Sequence, residues 1–199
     1  SDLKYLRGNR NQEKVMHKVF ISGSMGIKNL DENVQSRINN IVESGYQVIV
    51  GDASGVDSSI QEYLISKNMK SVLVYCSGEN PRNNLGSWPI EKIKTNSTPG
   101  TRAFFTAKDL KMAEDCDYGF MVWDTKSTGT LSNAIELLKR HKVALVYVNK
   151  AKEFLKVKDV SDLEKLISFM SKTTFDKADK KLNLNDKIQS FKNQQSSLF

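Results

Sequence analysis

Five short apolar runs constrain the fold more than any other feature of this chain. They are KVFIS (18–22), QVIV (47–50), SVLVY (71–75), YGFMV (118–122) and VALVYV (143–148). None shows the in–out alternation of a half-wet strand, and all are too short for a buried helix. Between them lie stretches of helical period. One spans 32–44, with Val34, Ile38, Ile41 and Val42 on one face, Asp31 as its cap and Gly45 as its stop. Others are expected over 56–67, over 106–116 with Thr106 as cap, and over 129–139. Apolar strands alternating with amphipathic helices predict a parallel sheet covered on both faces. The handedness of crossovers makes it an α/β, Rossmann-like, doubly wound parallel sheet of about five strands flanked by helices, with a helical C-terminal extension. The expected organisation is an N-terminal extension (1–17), the Rossmann-like domain (18–150) and a lysine-rich extension (151–199).

In such sheets, ligands sit beyond the carboxyl ends of the strands. Three loops rich in small polar residues fall there: Ser22-Gly23-Ser24-Met25-Gly26; Gly51 to Asp57; and Trp123 to Thr130. Glycine lets a ligand approach the backbone, and the N–H groups opening the next helix favour an anion, phosphate above all. Gly23, Gly51, Gly55 and Gly129 are the expected points of approach. Ser24, Ser127 and Thr130 offer hydroxyls, and Lys126 offers charge. Short βα turns favour the same residue types for purely structural reasons, but three at one edge point to a phosphate-bearing ligand. Asp52, at a strand end, has the position of an acceptor for a ribose hydroxyl. Asp57 stands in the first turn of its helix, where the dipole favours a carboxylate whether or not a ligand binds.

These loops resemble the SLOG superfamily, which unites the LOG phosphoribohydrolases, the DNA-processing protein DprA and YspA-like proteins. The second loop is similar to the DprA-type G-x-A-x-G-I/V-D, matched at Gly51, Ala53, Gly55, Val56 and Asp57. The third is similar to the LOG-type P-G-G-x-G-T-x-x-E at Gly129 and Thr130 only. The resemblance covers about 18–148, is nearest to the YspA-like branch, and implies a nucleotide or nucleotide-derived ligand, sensed or cleaved at its base–sugar bond. The LOG catalytic glutamate falls at Asn133, which cannot act as a base or steady an oxocarbenium ion. Asp52 and Asp124 are the carboxylates positioned to replace it.

Residues 78–102 form a connection far longer than the usual 4–6 or so, and contain Arg82, Asn83, Asn84, Trp88 and Arg102. Arg82 and Asn83 suit phosphate and base edges. Arg102 suits a bidentate phosphate clamp or an ion pair. Trp88 and Trp123 each suit either base stacking or closure of the core. Asp109, Glu114, Asp115 and Asp117 read as a solvated helix face.

The formal charge of +7 permits phosphorylated ligands or nucleic acid, and from Lys150 onward there are eleven lysines against seven acids. Together with the resemblance of the second loop to DprA and the clamp-like C-terminus described below, this charge makes a DprA-like single-strand DNA binder the alternative function. With only two cysteines and two histidines, unspaced for a metal or a triad, no metal or cofactor is expected. No apolar run is long enough for a membrane span, and a cytoplasmic, reduced setting is expected. In the tail, Ser161 is expected to cap a helix over 162–171. Ile188 and Phe191 suit one face of a later helix, and three fates are open to this segment: packing on the sandwich, packing on a second copy in a homo-oligomer, or mobility. Gln195-Ser196-Ser197-Leu198-Phe199 resembles the Q-L-S/D-L-F pentapeptide of bacterial sliding-clamp partners, with Ser196 in place of Leu. That predicts an extended end seating Leu198 and Phe199 in an apolar pocket.

Overall fold

In the computed structural model, which describes residues 16–197, the chain runs β1 (Lys18–Gly23), α1 (Glu32–Glu43), β2 (Gln47–Val50), α2 (Val56–Ser66), β3 (Val72–Ser77), β4 (Ile90–Ile93), α3 (Arg102–Asp115), β5 (Tyr118–Trp123), α4 (Thr128–Lys139), β6 (Val143–Val148), β7 (Glu153–Val157), α5 (Val160–Ile167), α6 (Lys172–Leu182) and α7 (Leu184–Ser197). The strands form one sheet in the order β4-β3-β2-β1-β5-β6-β7. All neighbours pair in parallel except β6 and β7. This is the expected doubly wound α/β, Rossmann-like layer.

Each face of the sheet has its own core. Val34, Ile38 and Ile41 of α1 and Ile60 and Leu64 of α2 pack with Ile21, Val50 and Val74. On the other face, Met112 of α3 and Leu131 and Ile135 of α4 pack with Phe20, Ile49 and Met121. Adjacent strand residues thus serve opposite faces, which is why the runs read as continuously apolar.

Two strands join the five that the sequence marks. β4 is an edge strand inside the long connection, entered through Pro89, with every other residue exposed. β7 folds back on β6 through a turn at Asn149–Lys152, where Lys152 takes φ 54°. Residues 153–157 therefore belong to the sheet.

Helix caps differ in two places. Asp31 caps α1 as expected, its Oδ1 accepting from the Asn33 N–H at 2.8 Å. α3, however, begins four residues before Thr106, because the Thr101 hydroxyl accepts the Phe104 N–H. α5 is capped by Asp159, not Ser161, through the Asp162 N–H at 2.8 Å. The tail packs on the sandwich: Leu163, Leu166, Ala178 and Leu184 are buried, and Ile188 and Phe191 lie half-buried against the same core. Gln195, Ser196 and Ser197 are helical, not extended, and Leu198 and Phe199 lie outside the described residues. No helix among the described residues is long and apolar enough to cross a membrane.

Candidate functional site

The order in which the chain lays down strands reverses between the parallel neighbours β1 and β5, and a cleft of about 980 Å3 opens beyond their carboxyl ends. That is where an open parallel sheet leaves room between diverging loops. The first and third loops meet here and are stitched together by Ser24. Its N–H donates to the Val122 carbonyl at 3.0 Å, and its buried hydroxyl accepts the Asp124 N–H at 3.0 Å and lies 3.4 Å from the Thr130 hydroxyl. Ser24 is wholly buried. It shapes the rim and offers no free hydroxyl.

The glycines divide into two groups. A Cβ on Gly23 would lie 2.5 Å from the Val122 carbonyl oxygen, and one on Gly51 would lie 2.7 Å from Asp57 Oδ2. Gly55 takes φ +76° with the Met25 backbone directly against it. The chain itself fills the space in front of these three. Gly129 has open space before it, and Gly26 nearly so.

Asp52 is 2% exposed and fully engaged. Arg82 Nη2 donates to its Oδ1 at 2.9 Å, and the Arg82 N–H donates to its Oδ2 at 2.8 Å. Asn83 Nδ2 donates to the Asp52 carbonyl at 3.0 Å. Asp52 and Asn83 thereby bind the long connection to the end of β2, and neither lines the cleft. Arg82 does line it, with its guanidinium 4.1 Å from the centroid of the Phe105 ring. Trp88 is a buried plug: Asn84 brackets its backbone, and its Nε1 donates to the Met69 carbonyl at 2.9 Å. Trp123 is also fully buried, donating Nε1–H to the Ser127 carbonyl at 3.0 Å. Neither ring presents a face to a base.

Asp57 faces the cleft from the first turn of α2. Its Oδ2 accepts the Ala53 N–H at 3.1 Å, while its buried Oδ1 has no hydrogen-bond partner. Burial pushes its carboxyl up to about 7, against the opposing pull of the Lys108 cation. Lys108 is itself buried, donating to the Phe105 carbonyl at 2.7 Å and to Asp109 Oδ1 at 3.3 Å. Burial raises Asp109 as well, again opposed by Lys108. Asp109 is therefore not on a solvated face. Asp115 is partly covered and accepts from the Tyr75 hydroxyl at 2.6 Å, whereas Glu114 and Asp117 are exposed as expected, Asp117 also accepting the Lys18 N–H at 2.8 Å.

The third loop brings polar and basic groups to the cleft. Asp124 Oδ1 accepts the N–H groups of Lys126 at 2.9 Å and Ser127 at 2.6 Å. Arg102 reaches across from α3 and donates to the Thr128 hydroxyl at 2.7 Å. Ser127, Gly129 and Thr130 line the cleft at the start of α4. Asn133 follows one turn on, 9% exposed, with its amide 3.4 Å from the Ser22 hydroxyl.

Of the residues expected from sequence, the cleft gathers Gly23, Asp57, Arg82, Arg102, Asp124 and Lys126 with the start of α4. Lys108, Phe105 and Thr106 of α3, and Thr174, Lys177 and Lys181 of α6, line it without having been expected. A lysine in a helical stretch carries no mark of burial, and the α6 residues are far off in sequence. No group of histidine, cysteine, aspartate and glutamate suited to a metal occurs among the described residues.

No protein-family model, curated protein or solved structure matches the chain.

Proposed function

We propose that the protein binds a phosphorylated small molecule of nucleotide type in the cleft between β1 and β5, as a sensor or carrier of that ligand. One observation carries this reading: Arg102, Lys126 and the unobstructed Gly129 converge at the opening of α4. That helix start supplies free N–H groups and a positive dipole end. Arg102 and Lys126 have no carboxylate within salt-bridge reach among the described residues. The volume suits a small molecule, since such pockets run to about 300–1,000 Å3. The resemblance of the loops to the SLOG superfamily points the same way. The burial of both tryptophans removes the stacking platform that single-strand DNA binding favours.

A cleaving activity on the base–sugar bond is the second reading, and Asp57 is what favours it. A carboxyl near neutrality at the cleft has the acidity to protonate a leaving base, and Asp124 Oδ2 is the nearby charge available to an oxocarbenium ion. Asn133 and the engagement of Asp52 weigh against it.

Thermal denaturation with a nucleotide panel tests binding. A ligand at a hundred times its Kd adds about 2.7 kcal/mol, or roughly 5 °C or more for a chain of this size. Arg102→Gln and Lys126→Gln each reduce that shift. No shift with any nucleotide overturns the proposal. Release of free base by wild-type protein, lost in Asp57→Asn, converts the sensor into a hydrolase.

A further inference from the structure

We infer that α6 makes the cleft selective for a diphosphate or longer phosphate chain over a single phosphate, through Lys177 and Lys181. This rests on the anion-binding reading above. Lys177 and Lys181 are four residues apart and therefore lie on one face of α6, about 6 Å apart along its axis. Both line the cleft, and both are exposed. Between them and the core, Ala178 is fully buried, which fixes the rotation of α6 so that the two lysines flank the opening. Neither has a carboxylate within salt-bridge reach among the described residues.

The opposite bank is the start of α4. Arg102, Gly129 and Lys181 also line an adjoining hollow of about 460 Å3 between α3, α4 and α6. Lys181 therefore stands beside the Arg102–Gly129 anion seat, with Lys177 one turn further along. The carboxylates on the same cleft offset this charge only in part, Asp124 the most. Asp109 is paired with Lys108, Asp57 is near half-protonation at neutral pH, and two N–H groups hold Asp124 Oδ1. Four unpaired cations thus face one opening from two banks. A monophosphate seated at α4 leaves the α6 bank unused, whereas a chain of two or more phosphates reaches both. Lysine meets phosphate as a point charge, so the discrimination comes from where the two charges stand.

The test is calorimetric titration of the full chain at constant ionic strength with inorganic pyrophosphate and, separately, inorganic phosphate. Wild-type protein is expected to bind both, pyrophosphate more tightly. Lys177→Gln with Lys181→Gln is expected to weaken pyrophosphate about tenfold, the worth of two charged contacts, and phosphate by less than about twofold. Glutamine is a good helix former, so α6 is expected to persist, which circular dichroism checks. Lys181→Gln alone gives an intermediate loss. Lys180→Gln, on the same helix but off the cleft, controls for bulk charge and is expected to change neither affinity. Unchanged pyrophosphate binding in the double variant, or equal loss for both anions, overturns the inference and leaves the anion site standing. So does an equal loss in Lys180→Gln. If the wild-type protein binds neither anion, the anion site itself fails and this inference fails with it.

Discussion

Arg82 holds Asp52 twice, once through its guanidinium at 2.9 Å and once through its own N–H at 2.8 Å. The two contacts satisfy both oxygens of a carboxylate that water barely reaches, and they pin the connection between β3 and β4 to the end of β2. Asp52→Ala would strand a guanidinium that is 33% exposed and leave the Arg82 backbone N–H without its acceptor. The expected cost is about 2 kcal/mol, below the range for a fully buried pair because water partly screens Arg82. Proteolysis near residues 78–88 should quicken, while Tm falls. A chemical role for Asp52 would instead show as lost activity at unchanged Tm.

Asp57 gives the fold a distinctive pH dependence. Its carboxyl stands at about 7 in the folded chain against an ordinary 3.8. Between those values the folded state keeps a proton that the unfolded state has released. Stability from this group is therefore greatest below about 4, falls as pH rises towards 7 and is level above. Asp109 is shifted the same way and adds to the trend. Asp31, lowered by the Asn33 N–H, acts in the opposite sense and only below its ordinary 3.8, outside this interval. The Tm of Asp57→Asn minus that of wild type should thus climb from pH 4 to pH 7 and then plateau. A difference that stays constant over that interval refutes the assignment. Sulfate, whose charge does not change over this range, should also bind more weakly as pH rises through 7, because an ionised Asp57 repels it.

How much of this was legible in the sequence depended on whether burial leaves a local signature. Strands such as QVIV at 47–50 and VALVYV at 143–148 are buried on both faces, so their residue types disclose them. β4 and β7 lie at the sheet's edges and carry charged residues among the apolar ones, as IEKI and EFLKV, and β4 sits among prolines, glycines and asparagines that suggest a loop. The sequence does not distinguish the cap of α3, because Thr101 and Thr106 are equally suited by type. Only the Phe104 N–H chooses between them. At the site, the loops were legible as loops, but the use of their glycines was not. Gly23, Gly51 and Gly55 answer to Val122, Asp57 and Met25, which no local pattern reveals. Lys108, Lys177 and Lys181 come to the cleft through helix rotation and tertiary packing.

The glycines yield a paired prediction. At Gly55 a side chain meets both a positive φ and the Met25 backbone, which cannot withdraw without moving the first loop. Gly55→Ala should therefore cost about 3 kcal/mol or more, combining left-handed strain with a backbone clash. Gly129 is in the first turn of α4 with nothing within 4 Å. Gly129→Ala should keep or raise stability, since alanine is the better helix former by about 1 kcal/mol. It should also weaken phosphate and pyrophosphate, because the new methyl occupies the approach to the N–H groups. Denaturant titration separates the two variants. Unaltered anion affinity in Gly129→Ala would move the seat away from α4.

The C-terminal helices are load shared with the sheet, and Leu184 is the place to test it. It begins α7, is fully buried, and belongs to the same core as Leu163, Ala178 and Val157 of the sheet's antiparallel edge. Leu184→Ala removes a buried isobutyl group and leaves a void, for which about 2–5 kcal/mol is typical. If α7 melted independently, the variant would lose that segment's helix signal and leave the main transition in place. The shared core predicts instead one cooperative transition at lower Tm. Because α6 sits between α7 and α4 and carries Lys177 and Lys181, a loosened junction should also weaken pyrophosphate more than phosphate. Calorimetric unfolding and anion titration of this one variant therefore connect the packing of the tail to the charge it brings to the cleft.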